Sequence, residues 1–340
     1  MSKLIMNRRS FVAGMQGLAL GTALTGLPRL GNAQDLKNVT YLTPFGYLIN
    51  FAAAMYGDTS GIFEKHGLNV TVEGGRGSSM AVQQVTAGRA LVSRTGGTDL
   101  IKAYAKDPSV VAIAEIYERD LFYVISAEDG AINSPEDMEG KTIGIVSPSG
   151  ATENILDMML AAKDIPADAV SREVVGNAPA AFELVKQGRI SAFIATSDTD
   201  FQLRQAGEPI VSWSTDDVAL CPGQVYMTSK AQLEESKEEL AAFLSAIQEC
   251  LGVMLETKDK MEIINSMGAK YDLAEKGRPD GGLAVLEFGM PNYQRAYDEK
   301  MASEQDSWDS AYKLMVKAGL IEELEDRDFF DDSIRQLAFS

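Results

Sequence analysis

An α/β protein of two lobes, each a βαβαβ unit, is the fold class this sequence predicts, and three observations predict it. The stretch at 81–99, AVQQVTAGRALVSRTGGTD, recurs loosely at 181–200 as AFELVKQGRISAFIATSDTD. In both copies a short helical run ends at Gly-Arg (Gly88-Arg89, Gly188-Arg189), an apolar strand follows, and the strand runs into a small polar loop closed by Thr-Asp. Upstream of each copy the pattern is strand, helix, strand: 39–42, a helix to 63 and 69–73 in the first, then 141–146, 152–163 and 172–175 in the second. Finally, 340 residues with 45% apolar content suffice for two ordinary cores. Parallel sheets place ligands outside the carboxyl ends of their strands, so two such units predict a binder gripping a small molecule between them.

The chain carries 31 basic against 49 acidic residues, a formal −18. That balance argues against nucleic acid or an anionic membrane as a partner, because phosphate recognition needs a basic surface. At the amino end, Asn7-Arg8-Arg9-Ser10-Phe11-Val12 precedes an apolar Gly- and Ala-rich run over 13–27, and Gly31-Asn32-Ala33 offers the small residues of a cleavage site. The paired arginines resemble a twin-arginine export signal, and the run is short and weakly hydrophobic for a membrane span of ~20 residues. Residues 1–33 are therefore expected to be removed on export to the periplasm, leaving 27 basic and 49 acidic residues, a formal −22. That compartment permits a disulfide between Cys221 and Cys250. Cys250, however, sits in a helical pattern with Leu244, Ile247 and Leu251, where a buried free thiol is expected.

Within the first lobe, candidate ligand contacts collect at strand ends. Thr43, Phe45 and Tyr47 follow the first strand. Gly67 suits a left-handed helix stop before the second, and the loop after it brings Gly75, Ser78 and Ser79 to a helix start, where free backbone N–H groups favour an anion or a polar edge. The third strand, 91–94, carries Arg94 at its end, and a buried arginine is costly unless paired. Its planar fork holds either a ligand carboxylate or sulfonate, or an internal carboxylate such as Asp99. Gly96, Gly97 and Thr98 form the loop beyond. A buried strand at 110–115 then leads through Tyr117 and Arg119, which face the cleft or brace the hinge, to 121–126, where the chain crosses lobes.

The second lobe repeats the logic. Ser147, Ser149, Gly150, Ala151 and Thr152 lead from a strand into a helix, and their hydroxyls and amides suit acidic ligand groups, with capping by Ser149 or Thr152 possible at the same time. Asn177 follows the next strand, and Ser197 and Asp198 the one after; Asp198 either accepts from a ligand amine or hydroxyl or caps the next helix. The strand at 210–214 is expected to return to lobe one, giving boundaries of 35–118 plus 213–340 for the first lobe and 119–212 for the second. Ser236-x-x-Glu239 reads as a capping box, helices at 261–267 and 304–318 wrap the first lobe, and the acidic 322–332 reads as a solvated tail.

Two segments carry a family resemblance. Gly61-Ile62-Phe63-Glu64-Lys65-His66-Gly67-Leu68-Asn69-Val70, followed by a Gly-rich loop and Val85-Thr86-Ala87-Gly88-Arg89-Ala90, resembles the SsuA/THI5-like (NMT1-type) solute-binding proteins of ABC transporters. Ile132-Asn133-Ser134-Pro135-Glu136-Asp137-Met138-Glu139-Gly140-Lys141-Thr142-Ile143-Gly144 resembles that family's entry to its second lobe. The resemblance covers roughly 36–255 and implies a two-lobed periplasmic-binding-protein fold, type II-like, with a two-strand hinge. It also implies a small-molecule ligand, an ABC permease as partner, a monomer and no cofactor or metal. Arg94 stands where members commonly carry a small apolar residue, a departure that marks a change of ligand.

Enzymatic chemistry is poorly provided for. His66 is the single histidine, and the chain has no Cys-x-x-Cys, no phosphate-binding Gly-Lys-Ser/Thr loop and no G-x-S-x-G elbow. The expected function is therefore a periplasmic importer receptor closing on a small organic anion, a sulfonate or an aromatic carboxylate. A pyrimidine or other thiamine-precursor ring is the rival ligand. An exported enzyme of the same fold, like those of the menaquinone pathway, and a sensor subunit feeding a membrane kinase are the rival functions.

Overall fold

The computed structural model describes residues 36–275, 277 and 279–340, the side chains of Ser78, Ser79 and Pro279 excepted. The export segment expected over 1–33 lies outside the described residues. From Leu36 the chain runs through β1 (Lys37–Thr43), α1 (Ala52–Thr59), α2 (Ile62–Lys65), β2 (Leu68–Gly74), α3 (Ser78–Thr86), β3 (Val92–Gly96), α4 (Gly97–Tyr104) and β4 (Val110–Arg119). It crosses into β5 (Phe122–Ala127), β6 (Thr142–Ile145), α5 (Ala151–Ala162), β7 (Ser171–Val174), α6 (Phe182–Lys186), β8 (Ala192–Thr196), α7 (Ser197–Gln205) and β9 (Ile210–Ser214). It returns through β10 (Pro222–Ser229) to α8 (Lys230–Glu235), α9 (Lys237–Glu256), α10 (Lys260–Gly268), α11 (Pro279–Asp298), α12 (Gln305–Lys317) and α13 (Ser333–Ala338). No helix among the described residues is long and apolar enough to cross a membrane.

Side-chain patterning places the strands. β2 alternates buried Leu68, Val70 and Val72 with exposed Asn69, Thr71 and Glu73, as an edge strand does, whereas β3 is buried from Val92 to Thr95 and sits centrally. Strand order is β2-β1-β3-β10-β4 in one sheet and β7-β6-β8-β5-β9 in the other. In each sheet three parallel strands adjoin an antiparallel one delivered from across the hinge, β10 beside β3 and β5 beside β8. The duplication extends to backbone detail: Gly88 (φ +68°) and Gly188 (φ +69°) occupy the same left-handed turn ahead of β3 and β8, a conformation that a Cβ disfavours.

Three expectations are corrected. Ile210–Ser214 does not return to the first lobe; it pairs along β5 from Tyr123↔Ser214 to Ala127↔Ile210 and covers what would otherwise be an open sheet edge. The return crossing falls later, at 215–221. Ser236 makes no side-chain cap at α9, because its own N–H still closes α8 on the Gln232 carbonyl at 2.9 Å, and Glu239 turns toward Lys37. The acidic tail is not merely solvated. Phe329 is buried against Tyr104, Trp308 and Tyr312, and hydrogen bonds from Ala112 N–H to the Phe329 carbonyl and from Asp331 N–H to the Ala112 carbonyl, both 2.8 Å, stitch the tail along the outer side of β4.

Two apolar arrangements hold the lobes. In the first, Tyr41, Phe63 and Phe243 stack between β1, α2 and α9. The second is shared: Trp308, Ala311 and Met315 of α12 belong to one cluster with Ile155, Met158 and Met159 of α5, so the lobes are joined by packing as well as by chain. Cys221 and Cys250 are both buried free thiols. The two crossings are tied to each other by Asp216, whose carboxylate accepts from Asp120 N–H at 3.0 Å and Cys221 N–H at 3.3 Å.

Candidate functional site

Between the carboxyl ends of the two sheets lies a cavity of about 790 Å³. Its first-lobe wall includes Phe45, Arg94 and the Gly96–Gly97–Thr98 loop, which lets α4 begin at Gly97 with its amide end toward the cavity. A Cβ at Gly97 would lie 2.4 Å from Pro222 Cγ, so only glycine lets β10 pass this close. The second-lobe wall includes Ser147, Ser149, Gly150, Ala151 and Thr152 before α5, then Asn177, and Asp198 at the start of α7. Ser149 takes a left-handed φ of +55°, a conformation costly for a non-glycine residue. Thr152 does not cap its helix; its hydroxyl accepts from Val146 N–H at 2.9 Å and fixes the loop to the end of β6. Asp198 takes a hydrogen bond from the Thr196 hydroxyl, and Asn177 Nδ2 donates to the same hydroxyl at 2.9 Å.

Arg94 dominates the electrostatics. It is 1% exposed, yet among the described residues no carboxylate pairs with it. Its Nη1 donates to the Asn50 carbonyl at 2.7 Å and its Nε to Gln224 Oε1 at 3.3 Å. The Tyr117 ring lies 4.3 Å from the guanidinium carbon and the Phe51 ring 5.1 Å, an arrangement that stabilises a desolvated cation. Burial works against the charged form, but the surrounding tyrosine oxygens, Tyr117 foremost, outweigh it and hold the group above the ordinary arginine range. Tyr293 Oη also donates to the Asn50 carbonyl, at 3.1 Å. The internal ion pair is thus not what seats Arg94; a carbonyl, an amide oxygen and two rings do.

At the hinge end of the cavity, burial and the adjoining Asp216 carboxylate push Asp120 up to about 8, while burial pushes Asp216 up to about 6. Behind β4, burial pushes Glu115 up to about 7 even though it accepts from Gly223 N–H and the Ser303 hydroxyl.

Residues 49–260 match the family described as NMT1/THI5 like. The chain belongs to that family. The member is 25% identical over 277 residues to a formylaminopyrimidine-binding protein of Halalkalibacterium halodurans, covering 78% of this chain and 82% of that one. Among solved structures it is similar to the periplasmic sulfonate-binding protein SsuA of Methylobacillus flagellatus, with a TM-score of 0.66 at 14% identity over 90% of this chain and 94% of that one. The fold also houses an enzyme: the desulfurization enzyme DSZB aligns with a TM-score of 0.56 at 11% identity over 89% of this chain and 99% of that one.

Several expected positions do not line the cavity of this family member. Thr43 is fully buried, its hydroxyl donating to the Gly46 carbonyl, and Gly75 is folded over it with its N–H on the Thr43 carbonyl at 2.9 Å. The Tyr47 ring turns to Tyr271, 5.0 Å away. Tyr117 lies beneath the guanidinium, Arg119 faces outward to Glu118 and Glu304, and Ser197 is engaged through its N–H on the Leu121 carbonyl at 2.7 Å. Ser78 and Ser79 begin α3, and their side chains lie outside the described residues. Conversely, the walls contain Asn50, Gln224 and Asp120, and Gly281 and Val285 from α11. Gln224 was findable as a polar side chain in an apolar strand. Asn50 acts through its backbone carbonyl and left no signal.

Proposed function

We propose that the protein is the periplasmic solute receptor of an ABC importer, that it acts as a monomer without enzymatic activity, and that its cargo is a small organic anion, a sulfonate or an aromatic carboxylate. The observation carrying this reading is Arg94. A buried cation at the cavity wall, with rings against its guanidinium and no carboxylate paired with it among the described residues, is a seat where a ligand anion would complete its pairing. Phe45, 54% exposed at the cavity wall, offers a ring for stacking, and the amide ends of α5 and α7 supply donors from the other lobe. A ligand touching both lobes only when they approach favours the closed form by its differential affinity, and the closed form is what docks on the permease. The lobes that close are the two sheet units, delivered to the periplasm by the twin-arginine-type segment at 1–33.

A thermal-shift series with benzoate, benzenesulfonate and an aminopyrimidine tests the reading, since a ligand at ~100 times its dissociation constant adds about 2.7 kcal/mol. The anions should raise the melting temperature, and Arg94→Met should abolish that rise. The formylaminopyrimidine-binding relative favours a second reading, a neutral pyrimidine held by Asn177 and Asp198. A pyrimidine shift that survives Arg94→Met would transfer the assignment to it.

A further inference from the structure

The two lobes meet across the cavity at one aromatic contact that neither the cavity wall nor the hinge accounts for. Phe201 on α7 and Phe288 on α11 stack with ring centroids 4.7 Å apart and planes at 28°. α7 packs on β5, β8 and β9 of the second sheet, whereas α11 packs on β4 and α9 of the first lobe, so the stack joins bodies that belong to opposite walls. Each ring sits beside cavity residues without lining the cavity itself: Asp198 and Gln202 flank Phe201, and Val285 precedes Phe288 by one helical turn.

The same helix is fixed to the seat of Arg94. A Cβ at Gly282 would lie 2.7 Å from Ile49 Cδ1, so α11 presses on the turn at Ile49–Phe51 whose Asn50 carbonyl receives Arg94, and Tyr293 bonds that carbonyl from the far end of the helix. α11 is therefore anchored at both ends of the first-lobe seat and reaches the other lobe through Phe288.

We propose that the Phe201–Phe288 stack is an interlobe clasp: two positioning residues that touch no ligand but set how much of the time the cavity is shut. The inference rests on the two-lobed receptor reading for its meaning, but not on the identity of the ligand. An aromatic pair of this geometry shifts an open–closed ratio by about three- to tenfold, enough to govern retention while still permitting release.

The test needs no ligand. Spin labels at Gln205→Cys and Glu287→Cys, exposed positions on the two helices, report their separation by double electron–electron resonance, because the native thiols are buried. Phe288→Ala and Phe201→Ala should each raise the long-distance population relative to the short one by about three- to tenfold. The double variant should open no further than either single one, and Phe288→Tyr, which keeps a stackable ring, should retain the short distance. Unchanged distributions in both alanine variants, or two independent effects that multiply in the double variant, would overturn the clasp. Neither result bears on the anion assignment, which the thermal shifts decide separately.

Discussion

The duplicated strands β3 and β8 hold the same place in their sheets and end in opposite chemistry. A shift of 100 residues superposes Gly88 on Gly188 and sets Arg94 against Ile194, both buried. Opposite Arg94 stands Tyr226 of β10; opposite Ile194 stands Val124 of β5. The first lobe thus surrounds its strand end with ring faces and a multiply shared carbonyl, while the second keeps its strand end apolar and presents hydroxyls and amides from loops. One scaffold yields a charge-bearing wall and a hydrogen-bonding wall, and only their approach offers a ligand both.

Transplanting the charge would break the comparison most severely. Ile194→Arg places a guanidinium where valine faces it, and should cost about 4 kcal/mol or more, read as a fall in the urea midpoint. The reverse exchange sharpens it. Arg94→Met should lower anion affinity on the order of 100-fold, about 3 kcal/mol by titration calorimetry, with the apo melting temperature unchanged or raised, because replacing a buried charge by an apolar chain of similar volume is often neutral or stabilising. A large apo loss would mean that the guanidinium serves the fold instead.

How much of this was legible in the sequence differs between the two walls. Glycines and hydroxyls after each strand marked both, because turn chemistry is local. What seats Arg94 is not local: Tyr293 reaches the Asn50 carbonyl from 243 residues away, and a backbone acceptor looks alike at every position. The aromatic residues Tyr47 and Tyr117 were legible as important but not as packing partners, since a ring at a strand end serves a ligand or a neighbour equally well. The fate of Ile210–Ser214 depended on which sheet had an open edge, a tertiary fact.

Smaller effects probe the second wall and the hinge. Thr152→Val removes the acceptor for Val146 N–H and should cost about 1 kcal/mol by denaturant titration, with a weaker ligand-induced thermal shift. Two buried carboxyls, Asp120 at the hinge and Glu115 behind β4, give a pH signature. Asp120, at about 8, and Glu115, at about 7, sit above their unfolded values near 4, so the stability they contribute is fully present below about pH 4 and is lost as pH rises through 7 and 8. The melting temperature should therefore decline by a few degrees between pH 6 and pH 9, and Asp120→Asn should flatten the upper part of that decline.

The tail along β4 bears on how the edge of the first sheet is closed. β4 is the outermost strand of its sheet, and a row of vacant amides and carbonyls invites the strand of a neighbour. By lending its own backbone to Ala112, the segment around Phe329 acts as a selvedge, finishing the fabric so that it does not fray into self-association. The border that a neighbouring copy could have extended is instead sewn by a segment of the same chain.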